Sequence, residues 1–350
     1  MVEAAYISYP LHFKQPSGTS RGVLNEKPCW FIKLTGQDGV TGMGEVSFIP
    51  GLSVEDPDEI EIQLDHVCKL ISKGEMDPLQ KLPSLPGIQF ALESAMLDLK
   101  QGGNRILYPS DFTGGISGIL TNGLIWMGER TYLLEQVRSK MEAGFRVLKL
   151  KVGALDFNEE LEVLQWIRSE YGTGDLEIRL DANGAWNPEN VREKLESLSS
   201  FGIHSIEQPI GAGQTDAMAE LCREPAIPVA LDEELIGITF SEEQQQMMEQ
   251  IRPDYIILKP GLLGGFSATK QWIDVANRVG AGWWITSALE SSIGLNAIAQ
   301  WTYQLGVTMP QGLGTGMIYS NNIPSPLQMV EDRLWHMPGR AWNLQSIIDM

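Results

Sequence analysis

Hydrophobic and polar positions follow two different patterns along this chain, and the first pattern occupies residues 1–115. Apolar runs at residues 30–34 and 40–46 flank a glycine-containing turn signal, which predicts a β-hairpin. Residues 57–72 and 88–100 place apolar side chains every three or four positions, which predicts two amphipathic helices. Short strands followed by helices predict an α+β domain.

From about residue 119, apolar strands alternate with helical stretches, a pattern typical of parallel βα units. The predicted strands are residues 120–125, 147–152, 177–182, 205–208, 229–232, 255–259, 283–287 and 308–312. The predicted helices are residues 130–143, 158–171, 188–201, 215–223, 241–252, 265–279 and 292–305. Eight such strands favour an α/β fold closed into a (β/α)8 TIM-type barrel. A doubly wound open sheet is the alternative, but no strand runs into that fold's GxGxxG pattern.

These patterns divide the chain into an N-terminal domain at residues 1–115 and a catalytic barrel at residues 116–318. The tail at residues 319–350 contains Pro324 and Pro326 and does not continue the alternation. We expect the tail to leave the barrel and to join the N-terminal domain.

The charge balance limits the possible partners. Lysine and arginine total 26 while aspartate and glutamate total 45, so the formal net charge is -19. This excess disfavours binding to nucleic acid or to an anionic membrane, and no apolar run approaches the ~20 residues that span a bilayer. We expect a small-molecule partner, and an oligomer remains open. An anionic substrate would need local positive charge from a metal ion or from lysines.

Cysteine and histidine usage narrows the chemistry further. Three scattered cysteines indicate reduced thiols, and the first residues lack the basic start and apolar run of a signal peptide. These features predict a cytoplasmic protein. The four histidines share no metal-ligand spacing, which argues against a zinc site.

Charged residues fall at the predicted C-terminal ends of consecutive strands, where barrel enzymes carry their reactive groups. From Lys151 onward, successive members are 30, 26, 25 and 27 positions apart, about one βα unit each. The set comprises Lys149, Lys151, Asp181, Glu207, Asp232 and Lys259. Strand alternation puts Lys149 and Lys151 on one face. It does the same for Arg179, Asp181 and Asn183, so this polar face should point into the mouth of the barrel.

Three converging carboxylates would repel one another without a cation. The oxygen ligands Asp181, Glu207 and Asp232 favour Mg2+, with Mn2+ as a substitute. The alternative is that each acid is an ordinary solvated side chain. A lysine acting as a base must be neutral, and a nearby cation disfavours its charged form. A metal that stabilises charge on a carboxylate, together with a lysine base, predicts removal of the proton alpha to that carboxylate.

The same strand ends resemble the muconate-lactonising subgroup of the enolase superfamily. The motifs are KLKVG at residues 149–153, LDAN at 180–183, IEQP at 206–209, LDE at 231–233 and LKP at 258–260. The helix FALESAMLDL at residues 90–99 is similar to a helix of that subgroup's capping domain. The resemblance implies a modified (β/α)8 barrel with an N-terminal α+β capping domain, Mg2+ on the three acids, and Lys151 and Lys259 as the acid/base pair.

Two further segments narrow the resemblance. ITSALESSIGL at residues 285–295 and QGLGTG at 311–316 look like the seventh and eighth strand ends of the o-succinylbenzoate synthase family. This implies dehydration of 2-succinyl-6-hydroxy-2,4-cyclohexadiene-1-carboxylate to o-succinylbenzoate, a step of menaquinone biosynthesis. Lys151 would take the alpha proton and return it to the departing hydroxide. Lys259 would chiefly stabilise the anion, as a cation beside the ring.

The remaining expected substrate contacts follow from the same resemblance. Dipeptide epimerases of the subgroup carry an Asp-x-Asp at the eighth strand, whereas residues 312–316 contain no acid. The pocket therefore suits a dicarboxylate, whose distant carboxylate could meet Ser287 and the backbone of the glycine-rich turn. We expect substrate contacts from Lys149, Arg179, Asn183, Ser287, Gly312 and Leu313. A loop at residues 18–21 could close over the ligand.

Three rival functions stay open on the sequence alone. An N-succinylamino acid racemase uses the same two lysines, either alone or as a second activity. A sugar-acid dehydratase would usually carry a histidine where Lys259 stands. A catalytically silent, metal-stabilised binding protein would not need the intact set of three acids and two lysines.

Overall fold

The computed structural model describes residues 2–19, 22–75 and 85–347. Its strands are β1 (Glu3–Ser8), β2 (Leu11–Thr19), β3 (Gly22–Lys27), β4 (Cys29–Thr35), β5 (Thr41–Ser47), β6 (Ile119–Leu120), β7 (Gly123–Ile125), β8 (Val147–Lys151), β9 (Glu177–Asp181), β10 (Ile203–Glu207), β11 (Val229–Leu231), β12 (Tyr255–Leu258), β13 (Gly282–Ile285), β14 (Leu327–Val330) and β15 (Arg333–His336). Its helices are α1 (Ile60–Ser72), α2 (Pro86–Lys100), α3 (Arg130–Glu142), α4 (Phe157–Glu170), α5 (Pro188–Ser199), α6 (Thr215–Arg223), α7 (Ser241–Ile251), α8 (Pro260–Leu263), α9 (Gly265–Val279) and α10 (Ser292–Gln304).

The N-terminal cap contains an antiparallel sheet in the order β1-β4-β5 and a separate β2-β3 hairpin. The predicted hairpin is present, with β4 and β5 paired from Cys29↔Ser47 to Thr35↔Thr41. Helix α2 lies so close to β5 that a Cβ at Gly44 would come within 1.9 Å of the Ala91 carbonyl oxygen. Glycine at this position therefore allows the helix to pack directly on the strand.

The barrel is a seven-stranded sheet in the order β13-β12-β11-β10-β9-β8-β7, and its six pairs of neighbouring strands are all parallel. Helices α3 to α10 follow its strands, so the predicted modified barrel with a strand-rich cap is confirmed. The prediction of a regular eighth strand at residues 308–312 is wrong. Only single bridges are present, Thr121↔Gln311 and Thr286↔Gly312. These two bridges join the β7 and β13 edges.

The tail contacts the cap and then returns to the barrel. The Lys14 amide donates to the Ile318 carbonyl at 2.8 Å, and Phe13 bridges Tyr319. Further on, β14 and β15 form an antiparallel sheet with β6. The three cysteines are free and buried, as expected for reduced thiols. In the described ranges, no helix is long and apolar enough to cross a membrane.

Candidate active site at the mouth of the barrel

The charged residues predicted from the sequence lie at the C-terminal ends of consecutive strands. Lys149 and Lys151 belong to β8, while Asp181 ends β9 and Glu207 ends β10. Asp232 directly follows β11, and Lys259 directly follows β12. On β8 the alternate residues Leu148 and Leu150 are buried in the main hydrophobic core, as the period of two requires.

Ammonium groups and carboxylates are interleaved in the centre of the site. The Lys149 ammonium lies 2.9 Å from Oδ2 of Asp181 and 2.6 Å from Oε1 of Glu207. The Lys259 ammonium donates to Oδ2 of Asp232. Lys151 also reaches Oδ2 of Asp181, at 3.4 Å. Each of these carboxylates therefore contacts a lysine from the neighbouring strand or the next but one.

Burial and charge shift the pKa values of these groups. Burial raises the pKa of Glu207 to about 8, and the neighbouring carboxylates Asp181 and Asp232 add to that rise. Burial alone would raise the pKa of Asp181, but the Lys149 ammonium and the two other lysines lower it below its usual value. Burial alone would lower the pKa of Lys259, but Asp232 and Glu207 raise it. Lys259 is therefore held as an ammonium.

Lys151 has a second partner that fixes its position. Its ammonium donates to Oδ1 of Asn183 at 2.5 Å, and Nδ2 of Asn183 donates to Oε1 of Glu233 at 3.1 Å. The Asn183 backbone adopts a left-handed conformation, with φ of 45°, and its amide donates to Oδ1 of Asp181 at 3.1 Å. An unfavourable backbone angle at a functional site is tolerated when the surroundings hold it in place. Asn183 thus links the expected base to the acid cluster.

A cavity of about 180 Å³ opens in front of these groups. Seven of the predicted residues line it: Lys149, Lys151, Asp181, Asn183, Lys259, Ser287 and Gly312. Glu207 and Asp232 do not line it and are each only 2% exposed, bonded to the lysines that do. The cavity therefore presents both expected acid/base lysines to one ligand.

Arg179 and Leu313 do not line this cavity, contrary to expectation. Arg179 precedes Asp181 by two residues and thus lies roughly 7 Å deeper along the strand. Its guanidinium lies 4.4 Å from the centre of the Trp284 ring and donates to the Pro310 carbonyl at 2.9 Å. Leu313 is fully buried in the main core. Residues 20 and 21 of the loop expected to close over the ligand lie outside the described residues.

Much of the cavity wall is formed by apolar residues that were not among the predicted site residues. Leu24, Ile49, Pro50 and Leu52 contribute from the cap, Leu124 contributes from β7, and Trp126 contributes from the position directly after β7. The alternation of Asn122, Leu124 and Trp126 could have marked them as one face. Glu233, Thr286 and Thr315 also line the cavity. Each lies within two positions of a predicted site residue, and this closeness in sequence could have identified it.

The donor chemistry fits a hard divalent cation. Asp181, Glu207, Asp232 and Glu233 contribute four carboxyl groups close to the three lysines. All of these donors are oxygen, which Mg2+ prefers. Across residues 2–19, 22–75 and 85–347, no three His, Cys, Asp or Glu side chains are gathered as a ready metal site. Lys149 and Lys259 hold these oxygens instead, so binding a cation would require the ammonium groups to move aside.

The fold and the site together define a class of enzyme. Residues 132–329 match the family model described as Enolase C-terminal domain-like, which covers more than half of the chain. This match includes the strand ends that carry Lys149 to Lys259. The match and the parallel barrel assign this protein to the enolase superfamily.

The similarity to individual relatives identifies the family within the superfamily. An o-succinylbenzoate synthase of Desulfotalea psychrophila (strain LSv54 / DSM 12343) is 46% identical over 357 residues, spanning 93% of this chain and 96% of that protein. A crystal structure of MenC from Desulfotalea psychrophila LSv54 superposes with a TM-score of 0.86 at 43% identity, covering 95% of this chain and 99% of that one. An N-succinyl-L-Arg/Lys racemase of Bacillus cereus (strain ATCC 14579) is 25% identical, covering 82% of this chain and 79% of that protein. Within the superfamily, the chain belongs to the o-succinylbenzoate synthase family and is a lyase.

Proposed function

We propose that this enzyme dehydrates 2-succinyl-6-hydroxy-2,4-cyclohexadiene-1-carboxylate to o-succinylbenzoate with the help of Mg2+. The observation that carries the proposal is that Lys151 and Lys259 line one cavity from strands separated by three others. A substrate ring between them meets a lysine on each face. Its apolar surface suits Leu124, Trp126 and the cap residues opposite.

The two lysines have different tasks in this reaction. Lys151 removes the proton alpha to the ring carboxylate and returns a proton to the departing hydroxyl group, so water leaves and the ring becomes aromatic. Asn183 orients the Lys151 amine for this transfer through their hydrogen bond. Lys259 stays protonated and stabilises the negative charge that develops on the substrate.

Asp181, Glu207 and Asp232 are the side chains that would hold Mg2+, and their oxygen-only chemistry supports this assignment. When bound, Mg2+ would stabilise charge on the substrate carboxylate. Lys149 contacts Asp181 and Glu207, and its ammonium would move aside for the cation.

The far carboxylate of the substrate meets the wall formed by Ser287, Gly312, Gly314 and Thr315. In the described chain, the backbone amides of Gly314 and Thr315 donate to no protein acceptor. These two amides are therefore the donors that we assign to the succinyl carboxylate. The absence of an acid at residues 312–316 fits an anionic arm and leaves a substrate ammonium without a partner.

N-succinylamino acid racemisation is the second candidate, because a lysine on each side of the cavity also suits two-base chemistry. The 25% identical racemase of Bacillus cereus supports it distantly. Racemisation demands two well-placed bases, whereas dehydration needs one and is driven by aromatisation. We therefore expect dehydration to be strongly preferred.

The test is a comparison of kcat/KM for the purified enzyme with Mg2+ on three substrates. These are the cyclohexadiene carboxylate, an N-succinylamino acid and a dipeptide. We expect the highest kcat/KM for the cyclohexadiene carboxylate and no epimerisation of the dipeptide. A higher value for either alternative substrate would overturn the proposed function while leaving the fold and the family assignment intact.

A further inference from the structure

Two buried glutamates, one on the cap and one on the barrel, each accept hydrogen bonds from a serine on the other side of the junction. Glu45, on cap strand β5, accepts hydrogen bonds from the barrel, namely from the Ser291 amide at 2.8 Å and the Ser291 hydroxyl at 2.5 Å. Glu290, on the barrel, accepts a hydrogen bond from the hydroxyl of cap residue Ser47 at 2.8 Å. Glu45 and Glu290 are fully buried. Each unit thus provides a carboxylate for a serine of the other.

Glu290 also reaches the wall of the cavity through Ser287. The Ser287 hydroxyl donates to Oε2 of Glu290 at 2.8 Å. Its oxygen accepts from the Thr315 hydroxyl at 2.8 Å and from the Leu289 amide at 3.0 Å. A carboxyl oxygen that bears no hydrogen only accepts, which gives the first bond this direction. Burial raises the pKa of Glu290, and the ammonium of buried Lys27 opposes that rise.

These bonds use the full hydrogen-bonding capacity of the Ser287 hydroxyl, one donor and two acceptor positions. Ser287 therefore has no hydrogen left for a substrate carboxylate, although it lines the cavity. Its task is to hold its neighbours. Leu289 is one of them and has a left-handed backbone with φ of 60°, an uncommon angle for leucine. Thr315 is the other and lines the cavity together with Gly312 and Gly314.

We propose that Glu290 is a positioning residue. It acts through Ser287 to hold the cavity wall at Leu289 and at Thr315 in the shape that receives the far carboxylate of the substrate. Through Ser47, the same carboxylate joins this wall to the cap. The inference rests on the proposed function for the identity of the ligand, but the hydrogen-bond relay is independent of it. Glu290 makes no contact with the acid/base lysines in the described contacts, so its removal should affect ligand binding more than proton transfer.

The experiment compares Glu290→Gln, Glu290→Met, Ser287→Ala and the Ser287→Ala/Glu290→Met double variant. Glu249→Gln, on the exposed face of α7, is the matched control. Gln keeps one acceptor for two hydroxyls, whereas Met keeps none at similar length. We expect KM for the cyclohexadiene carboxylate to rise in the order Gln then Met, by about tenfold for Met, with kcat changed less than about threefold. Because Glu290 acts through Ser287, the double variant should exceed the Met variant by no more than about twofold in KM.

A second readout does not need turnover. Hydrogen exchange of residues 287–291 and 312–316 in the substrate-free enzyme should accelerate in the Glu290 variants and not in the control. Additive KM effects, or a loss confined to kcat, would overturn the positioning role. An inactive wild type would overturn the proposed function, and the exchange data would then decide on the relay by themselves. Should Glu290→Met fail to fold, Glu290→Gln with and without Ser287→Ala provides the same test.

Discussion

Gly261 offers the most quantitative test of how the cap supports the active site. It lies two residues after Lys259, and a Cβ built on it would lie 2.4 Å from Cβ of Ser47 and 2.7 Å from Oε1 of Glu290. Ordinary contact begins at 3.4 Å, so Gly261→Ala requires a displacement of about 1.0 Å. Strand β5 cannot retreat, because a Cβ at Gly44 would already lie 1.9 Å from helix α2. The displacement therefore falls on the turn that follows Lys259.

The expected loss has two components. Overpacking of this kind destabilises by about 1–3 kcal/mol. A misplacement of about 1 Å near the chemistry lowers kcat by roughly 100-fold. The assays are steady-state dehydration with saturating Mg2+ and thermal unfolding. Gly174→Ala is the matched control, because a Cβ there meets nothing within 4 Å. Full kcat together with an unchanged Tm in Gly261→Ala would refute the reasoning.

Three other changes test separate parts of the site. Chelation should abolish turnover and Mg2+ or Mn2+ should restore it, with Asp181→Asn needing more metal; full activity in a metal-free sample would contradict the metal assignment. Lys151→Arg should lower kcat at least about 10³-fold because guanidinium stays protonated, whereas Lys259→Arg should keep measurable dehydration and lose any racemase activity. Equal loss of both activities in Lys259→Arg would argue against the division of labour. Arg179→Leu should destabilise by about 2 kcal/mol, measured by denaturant unfolding, through its lost charged hydrogen bonds. A raised KM without destabilisation would restore Arg179 as a substrate contact.

The alternation of strands and helices was predictable because each βα unit changes its hydrophobic period sharply. Helices α6 and α9 begin and end where the periodicity places them. The loss of a regular eighth strand was not predictable, because residues 311 and 312 pair only through isolated bridges that depend on their neighbours in space. The one-turn helix α8 was also missed. It starts at Pro260 and ends at Gly264, whose φ is 95°.

The charged part of the site was visible in the sequence because each charge interrupts an apolar strand. The apolar wall was not visible, because residues such as Leu24, Ile49 and Trp126 have the same pattern whether they line a cavity or fill a core. Alternation assigned Arg179 to the correct interior face but carries no information about depth. The saturated bonding of Ser287 depends on Glu290 and Thr315 meeting in space, which one-dimensional spacing does not report.

Neighbouring strands of the barrel pair at different numbers of positions, so parts of the cavity wall differ in how easily they open. Strand β8, which carries Lys151, pairs with β9 at five successive positions. The seam between β7 and β13 is closed by single bridges at Thr121 and Thr286. Local opening is easiest where pairing is sparse. Lys151 therefore lies on a firmly paired part of the barrel, whereas the wall at Thr286 and Gly312 lies at the sparsely paired seam. Substitutions along the seam can alter which arm is accepted while the proton-transfer geometry stays unchanged.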